Sequence, residues 1–284
     1  GTITIGSKGI AMFGSGTGFH TNQITTDAPD SPITVFGPIQ ITDSGSGHST
    51  FNLVASADNS PITVLGNVTY DNHLNTTGRS TVNLYGDTDY TNSLVTINGS
   101  LSIQLAQTSG IAGDKLGATQ NAVVLGDLGT AAGYGTIVAG TTMITGGNGQ
   151  DNVKIIQAQL EQLTSINLMS NPSPGSTWND TLEIDGSAVG GGLSAVLAGP
   201  HALFLLNNGN GLQADVFSGL FIAIMQGSQP VIAAANGSGA GYSPVMFNGG
   251  AEIVGSAGGG GVFEYHLANV TGTITPVFFS KLGV

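Results

Sequence analysis

The sequence contains no cysteine, which removes disulfides, thiolate catalysis and cysteine-based zinc sites together. Charge is scarce as well: Asp, Glu, Lys and Arg make up 8% of the 284 residues, against a norm of about 25%. Basic residues are the scarcer sign, 5 Lys and Arg against 17 Asp and Glu, for a formal net charge of −12. Such a chain cannot neutralise a row of phosphates, so neither nucleic acid nor an anionic membrane surface is an expected partner. Long apolar runs are also missing. The longest, at 202–206 and 220–225, fall far short of the about 18 residues that a membrane helix needs, so no membrane insertion by this segment is expected. No charged region followed by an apolar stretch opens the chain, as in a processed product that begins at Gly1.

What is abundant is glycine, 46 residues, roughly twice average usage. It follows no Gly-X-Y period, which excludes collagen. With 40% hydrophobic residues the chain is too apolar to stay solvated and should fold. Long solvated helices need Glu, Lys and Arg faces that are lacking here, while Ser, Thr and Asn suit strands and turns.

Internal repeats give the organisation. Ser31-Pro-Ile-Thr-Val-Phe-Gly37 recurs as Ser60-Pro-Ile-Thr-Val-Leu-Gly66, offset by 29, and more loosely as Ser93-Leu-Val-Thr-Ile-Asn-Gly99, offset by 33. Ile3-Thr4-Ile5 lies 30 residues before Ile33-Thr34-Val35, and Ser49-Thr-Phe-Asn-Leu53 matches Ser80-Thr-Val-Asn-Leu84 at an offset of 31. Two independent elements therefore share one period near 30. Each unit reads as short alternating strands between Gly, Asn, Asp and Ser turns, too small to close its own core. Stacking coils about 4.8 Å apart buries one continuous apolar column. This register sets Ile33 on Ile62, Val35 on Val64, Phe51 on Val82 and Leu53 on Leu84, and stacks Asn52 on Asn83 as an amide ladder.

Beyond residue 104 the period loosens. Asn121 to Gly126 reads as a further coil strand. Residues 153–168 fit a helical period, but strand is preferred because Thr164-Ser-Ile-Asn-Leu168 echoes the Ser-Thr-x-Asn-Leu element. Further strands are expected at 181–184, 202–206, 219–225, 231–235 and 261–267. No composition break separates independent domains: residues 1–179 read as coils of the repeat, and 180–284 as C-terminal coils and a cap continuous with them.

The second half carries an ordered series: Thr145-Gly-Gly-Asn-Gly-Gln-Asp-Asn-Val153, Leu160-Glu-Gln-Leu-Thr-Ser-Ile-Asn-Leu168, Ser176-Thr-Trp178, Asp180-Thr-Leu-Glu-Ile-Asp-Gly186, then Gly261-Val-Phe-Glu-Tyr-His-Leu267 and Pro276-Val-Phe-Phe-Ser280. This order resembles the C-terminal part of autotransporter passengers, the exported β-helical segments of Gram-negative surface proteins. The family's closing Trp-Tyr-Leu is Phe278-Phe279-Ser280 here, and its outer-membrane barrel does not lie within these 284 residues. The resemblance implies a right-handed helix, an extracellular or cell-surface location, and an autochaperone role for residues 180–284. It also implies a closing hairpin, in which Phe263, Tyr265 and Leu267 share a face and 275–280 return antiparallel to present Val277 and Phe279.

Candidate sites are few. Gly146-Gly-Asn-Gly-Gln-Asp-Asn-Val153 fits the calcium nonapeptide of repeat-in-toxin proteins, but one copy supplies too few oxygens. The reading preferred is a Gly-rich turn in which Asp151 caps backbone N–H groups. Asp87 with Asp89, and Glu183 with Asp185, are carboxylate pairs two residues apart that could serve as general acid and base beside a sugar. Asp87 and Asp89 read instead as an exposed turn, and Glu183 and Asp185 as the solvent face of a strand whose Leu182 and Ile184 point inward. A lyase would also want a basic partner, and Arg79 is the only arginine. Arg79 and His48 occupy equivalent repeat positions, as surface decoration. The histidines show no metal spacing, no serine elbow is paired with a histidine, and the Asn-x-Ser/Thr sites are as many as composition gives by chance.

The expected fold is all-β, a parallel β-helix of about nine coils, roughly 45 Å long, with a C-terminal β-hairpin cap. No catalytic, cofactor-binding or metal residue is assigned, and no cofactor is expected. The expected function is non-catalytic adhesion or self-association outside the cell, with a host or neighbouring-cell surface, a glycan or a second copy as partner. The alternatives are a β-helix lyase or hydrolase acting on polysaccharide, and a structural subunit of an extracellular filament.

Overall fold

Period-two alternation places one side of each short strand against a core that no single turn of chain can close, so the strands stack. A computed structural model describes residues 1–107, 120–127, 129, 132–168, 179–207, 213–234, 244–255, 262–265, 270–277 and 281–283. The chain winds as a three-faced solenoid, with no helix among these residues. Coil 1 consists of Ile3–Ile5 on the first face, Ile10–Gly14 on the second and His20–Thr26 on the third. Coils 2 and 3 repeat this as Ile33–Val35, Ile39–Asp43 and Ser49–Ala55, then Ile62–Val64, Val68–Asp71 and Ser80–Gly86. The third face is a ten-stranded sheet, and the strand pairs on all three faces are parallel.

The repeat register is the pairing register. Ile33 pairs with Ile62 and Val35 with Val64, Phe51 with Val82 and Leu53 with Leu84, and all point into the core. Past coil 3 the loops change length but the strands stay aligned, the third-face strand being Asn121–Asp127 in coil 4, Asp151–Ile156 in coil 5, Thr181–Asp185 in coil 6, Leu203–Leu206 in coil 7, Val231–Ala234 in coil 8 and Val262–Tyr265 in coil 9. One buried column on the third face runs Phe51, Val82, Val123, Val153, Leu182, Phe204 and Ile232. Its steps of 31, 41, 30, 29, 22 and 28 residues show why no fixed period survives there. In coils 7 to 9 the core turns aromatic: Phe217 meets Phe221 edge-on and stacks on Phe247, with ring centroids 4.9 and 5.5 Å apart.

Residues 153–168 hold strands and no helix, as the sequence predicts, but Thr164–Leu168 lies on the second face, against Thr142–Thr145. Its likeness to the third-face Ser-Thr-x-Asn-Leu element therefore does not reflect an equivalent place. The element that continues the third face is Asp151–Ile156, which pairs with Asn121–Asp127.

The chain end departs from the expected hairpin. Val262–Tyr265 pairs in parallel with Val231–Ala234 on one side and with Lys281–Gly283 on the other. Val270–Val277 pairs in parallel with Val245–Val254. The two segments proposed as partners thus lie on different faces, and the solenoid pattern continues instead of doubling back. Leu267 and Phe279 lie outside the described residues.

Candidate functional site

Each corner of a solenoid must turn the chain, and turning leaves backbone N–H and C=O groups that need partners. At the corner entering the third face, the first strand position is polar in coil after coil: His20, Ser49, Ser80, Asn121 and Asp151, followed by Asp180 just before the coil 6 strand Thr181–Asp185. From Ser80 onward these residues form a continuous chain of hydrogen bonds, in which side-chain and backbone N–H donors alternate. Asn72 Nδ2–H donates to Ser80 Oγ (3.0 Å), and Ser80 N–H to Asn121 Oδ1 (2.7 Å). Asn121 Nδ2–H donates to Asp151 Oδ1 (2.8 Å), and Asp151 N–H to Asp180 Oδ1 (3.1 Å). Ala198 N–H then donates to Asp180 Oδ2 (3.1 Å). Sequence reasoning missed this column, although its signal was present as one polar residue at the same register of successive coils.

At its N-terminal end the column meets a histidine–carboxylate pair. His20 Nδ1 lies 2.8 and 3.0 Å from the two oxygens of the buried Asp43, which also accepts from Gly45 N–H (3.0 Å). The Tyr70 hydroxyl sits nearby among Ser49, Ser80 and Asn72 without a well-aligned bond to any of them. Burial pushes the Tyr70 phenol up to about 12.

Asp151 acts as the capping reading expects, since Gly147 N–H donates to its Oδ2 at 2.9 Å. Both of its oxygens thus already accept from N–H groups, which suits a turn cap better than a calcium ligand. Burial, reinforced by the neighbouring Asp180, pushes its carboxyl up to about 8. Asp215 is a second such acid. Its Oδ1 accepts from Ser187 N–H (2.8 Å), and burial, then the charge of Asp185, raises it well above the carboxylate range.

The carboxylate pairs read from the sequence are engaged in a turn or covered by neighbouring coils. Asp87 takes part in a turn, its Oδ1 accepting Asp89 N–H (3.1 Å), and the coil 4 residue Asp127 accepts both Thr88 N–H (3.0 Å) and the Thr88 hydroxyl. Glu183 and Asp185 are not a solvent face: they are 6% and 0% exposed. Glu183 lies in an outward column between Lys154, whose Nζ is 2.8 Å away, and Leu205, so its neighbours cover it. Asp185 ends its strand at a corner closed by the adjacent coils. His48 and Arg79 do share a register, His20 N–H donating to the His48 C=O and Ser49 N–H to that of Arg79. His48 is half-buried beneath the exposed Phe19 ring, 4.9 Å between centroids, and burial followed by Arg79 lowers its pKa.

A shallow depression near coils 5 to 8 is lined by Tyr134, Gln159, Glu161, Ala188 and Ser218. Gln159 Nε2–H donates to Glu161 Oε1 within it (3.2 Å). No group of three or more His, Asp or Glu suited to a metal ion occurs among the described residues.

Outside the corners, the N-terminal coils present ladders of uncharged polar residues. Thr4, Thr34, Thr63 and Thr96 form one outward column on the first face. On the third face Thr21, Thr50 and Thr81 form a second, and Gln23, Asn52 and Asn83 a third. Compared with protein-family models, curated proteins and solved structures, the chain matches none.

Proposed function

We propose that this chain is a non-catalytic β-helical module of the cell exterior, of the autotransporter-passenger type, acting in adhesion or self-association. The observation that carries the reading is the set of uncharged Thr, Asn and Gln columns held in register on the first and third faces. A rigid array of hydroxyl and amide groups offers repeated donors and acceptors to glycan hydroxyls or to another protein surface. Most of the buried acids, meanwhile, sit inside corners, where they cap turns instead of facing a substrate. The aromatic core of coils 7 to 9 supports the companion proposal that the C-terminal part nucleates folding. The test is adhesion of beads coated with the chain to glycan-bearing surfaces and to one another. Thr50→Lys with Thr81→Lys should abolish adhesion while leaving the fold intact. Unchanged adhesion by that variant, or depolymerisation of a polysaccharide by the parent, would overturn the reading.

A further inference from the structure

On the first face of coils 5 to 8 the strands are Thr136–Val138, Ala158–Leu160, Ala188–Val189 and Asp215–Phe217, stacked in parallel. Their outward column runs Ile137, Gln159, Ala188 and Val216. The next column, at the corner that leaves this face, runs Glu161, Gly190 and Ser218, whose N–H groups donate to Val138, Leu160 and Val189 of the coil before. Ala188 is shorter than both of its column neighbours and Gly190 has no side chain, so coil 7 is cut back and leaves a hollow of about 380 Å³. Packing fixes this shape: a Cβ on Gly190 would stand 2.5 Å from the Glu161 carbonyl oxygen, so no larger residue fits there without moving backbone.

Tyr134 also lines the hollow, and later coils hold it in place. Gly133 C=O accepts from Gln213 Nε2–H (3.1 Å), the same amide donating to Gly186 C=O (2.7 Å), and Gly135 N–H donates to Gln157 C=O (3.0 Å). The residues on either side of Tyr134 are thus both tied down. Burial, then the charge of Asp215, pushes the Tyr134 phenol up, so its hydroxyl is a donor at neutral pH. Within the hollow Gln159 Nε2–H donates to Glu161 Oε1 (3.2 Å). A carboxylate accepts at about four positions and an amide has a second N–H, so both keep capacity for a ligand. No Lys, Arg or His is among the described residues that line it.

We infer that this hollow binds one neutral sugar residue of a glycan, with the apolar face of the sugar ring on Tyr134 and a pair of adjacent hydroxyls on the Glu161 carboxylate. A sugar ring has a face of C–H groups and a rim of hydroxyls. The C–H face suits the negative face of an aromatic ring, and tyrosine offers that platform at low entropic cost. The rim hydroxyls donate to Glu161 and exchange hydrogen bonds with Gln159 and Ser218. The volume lies near the lower end of the about 300–1,000 Å³ of small-molecule sites, which suits a single ring and not a long chain. A uronate, sialate or phosphate would meet Glu161 and a net charge of −12 with no cation opposite, which disfavours acidic glycans. The inference deepens the adhesive reading and rests on it for its purpose, but the site uses none of the Thr columns that carry that reading.

The test is a saturation-transfer NMR titration of the 284-residue chain with the methyl glycosides of glucose, galactose and mannose and with galacturonic acid, with circular dichroism as the check on folding. At least one neutral glycoside should bind, and galacturonic acid should not. Glu161→Ala at its exposed corner, and Ala188→Phe, which fills the hollow from an outward position, should each weaken binding at least tenfold without loss of β-structure. Tyr134→Ala should do the same, while Tyr134→Phe keeps the platform and most of the affinity. Thr50→Lys with Thr81→Lys should bind the glycoside as the parent does. No binding of any neutral glycoside, equal binding of galacturonic acid, or unchanged affinity in both Glu161→Ala and Ala188→Phe would overturn the inference. Glycoside binding by a parent that does not adhere would leave this site standing and refute only the adhesive reading.

Discussion

Asn83 Nδ2–H donates to Asn52 Oδ1 at 2.9 Å, joining two amides 31 residues apart on the outer third face of coils 2 and 3. The bond spans one inter-coil step and is half-exposed, so water competes for both groups. Gln23 continues the column on one side, and Val124 ends it on the other.

Replacing Asn52 by Ala should therefore cost only about 0.5–1.5 kcal/mol, the net worth of one such bond. Replacing both by Asp should cost more than two single changes, because like charges then stack directly across the sheet. Chemical denaturation of the single and double variants checks this, and additive losses would contradict it.

Stability should fall as pH rises from about 4 to about 8. Asp151 holds its proton in the folded state up to about pH 8, against an ordinary value of 3.8, so the folded chain binds more protons than the unfolded one across that window. Its contribution is complete below the unfolded value and is lost as pH passes the folded one. Asp215 is shifted in the same direction and adds to the trend. The lowered His48 opposes it only at the acid side, where burial resists protonation. Asp151→Asn, which imitates the neutral acid, should flatten the melting temperature against pH. An unchanged pH profile in this variant would refute the assignment.

Glycine at the corner between the first and second faces is a packing requirement. Gly37, Gly66, Gly99 and Gly140 lie over one another, and a Cβ on Gly66 would stand 2.6 Å from the Gly37 carbonyl carbon and the Pro38 nitrogen. Backbone cannot swing aside as a side chain can, so Gly66→Ala should lose about 1–3 kcal/mol, the usual cost of overpacking. Thermal melting would show it, and a neutral variant would mean that the coils separate more easily than their ladder bonds suggest.

Phe221 lies at the centre of the aromatic core, within 4.9 Å of the Phe217 and Phe247 rings and 5.6 Å of Phe204, measured between centroids. Phe221→Ala should lose about 3–5 kcal/mol. If the C-terminal coils nucleate folding, refolding yield should also fall further than for Ile3→Ala, since Ile3 is half-exposed at the opposite end. Equal refolding of the two variants would remove support for C-terminal nucleation.

The sequence alone determined the stacked fold of the first coils. Alternation decides which face of a strand is inward, and the repeated Ser-Pro-Ile-Thr-Val and Ser-Thr-x-Asn-Leu elements decide which residues overlie, so Phe51 on Val82 and Asn52 beside Asn83 needed no coordinates. Tertiary structure alone decided the rest, because alternation specifies a face but neither the partner nor the sense of pairing. The segments about Tyr265 and Val277 alternate as a hairpin would, yet each continues a different face in parallel, where the preceding coil already offers a matched edge. Glu183 reads as solvent-facing by its neighbours Leu182 and Ile184, yet Lys154 and Leu205, 29 and 22 residues away in sequence, cover it. The polar column from Ser80 to Asp180 depends on the same physics: a corner residue is buried by the coils before and after it, and loops of unequal length set which residues those coils bring.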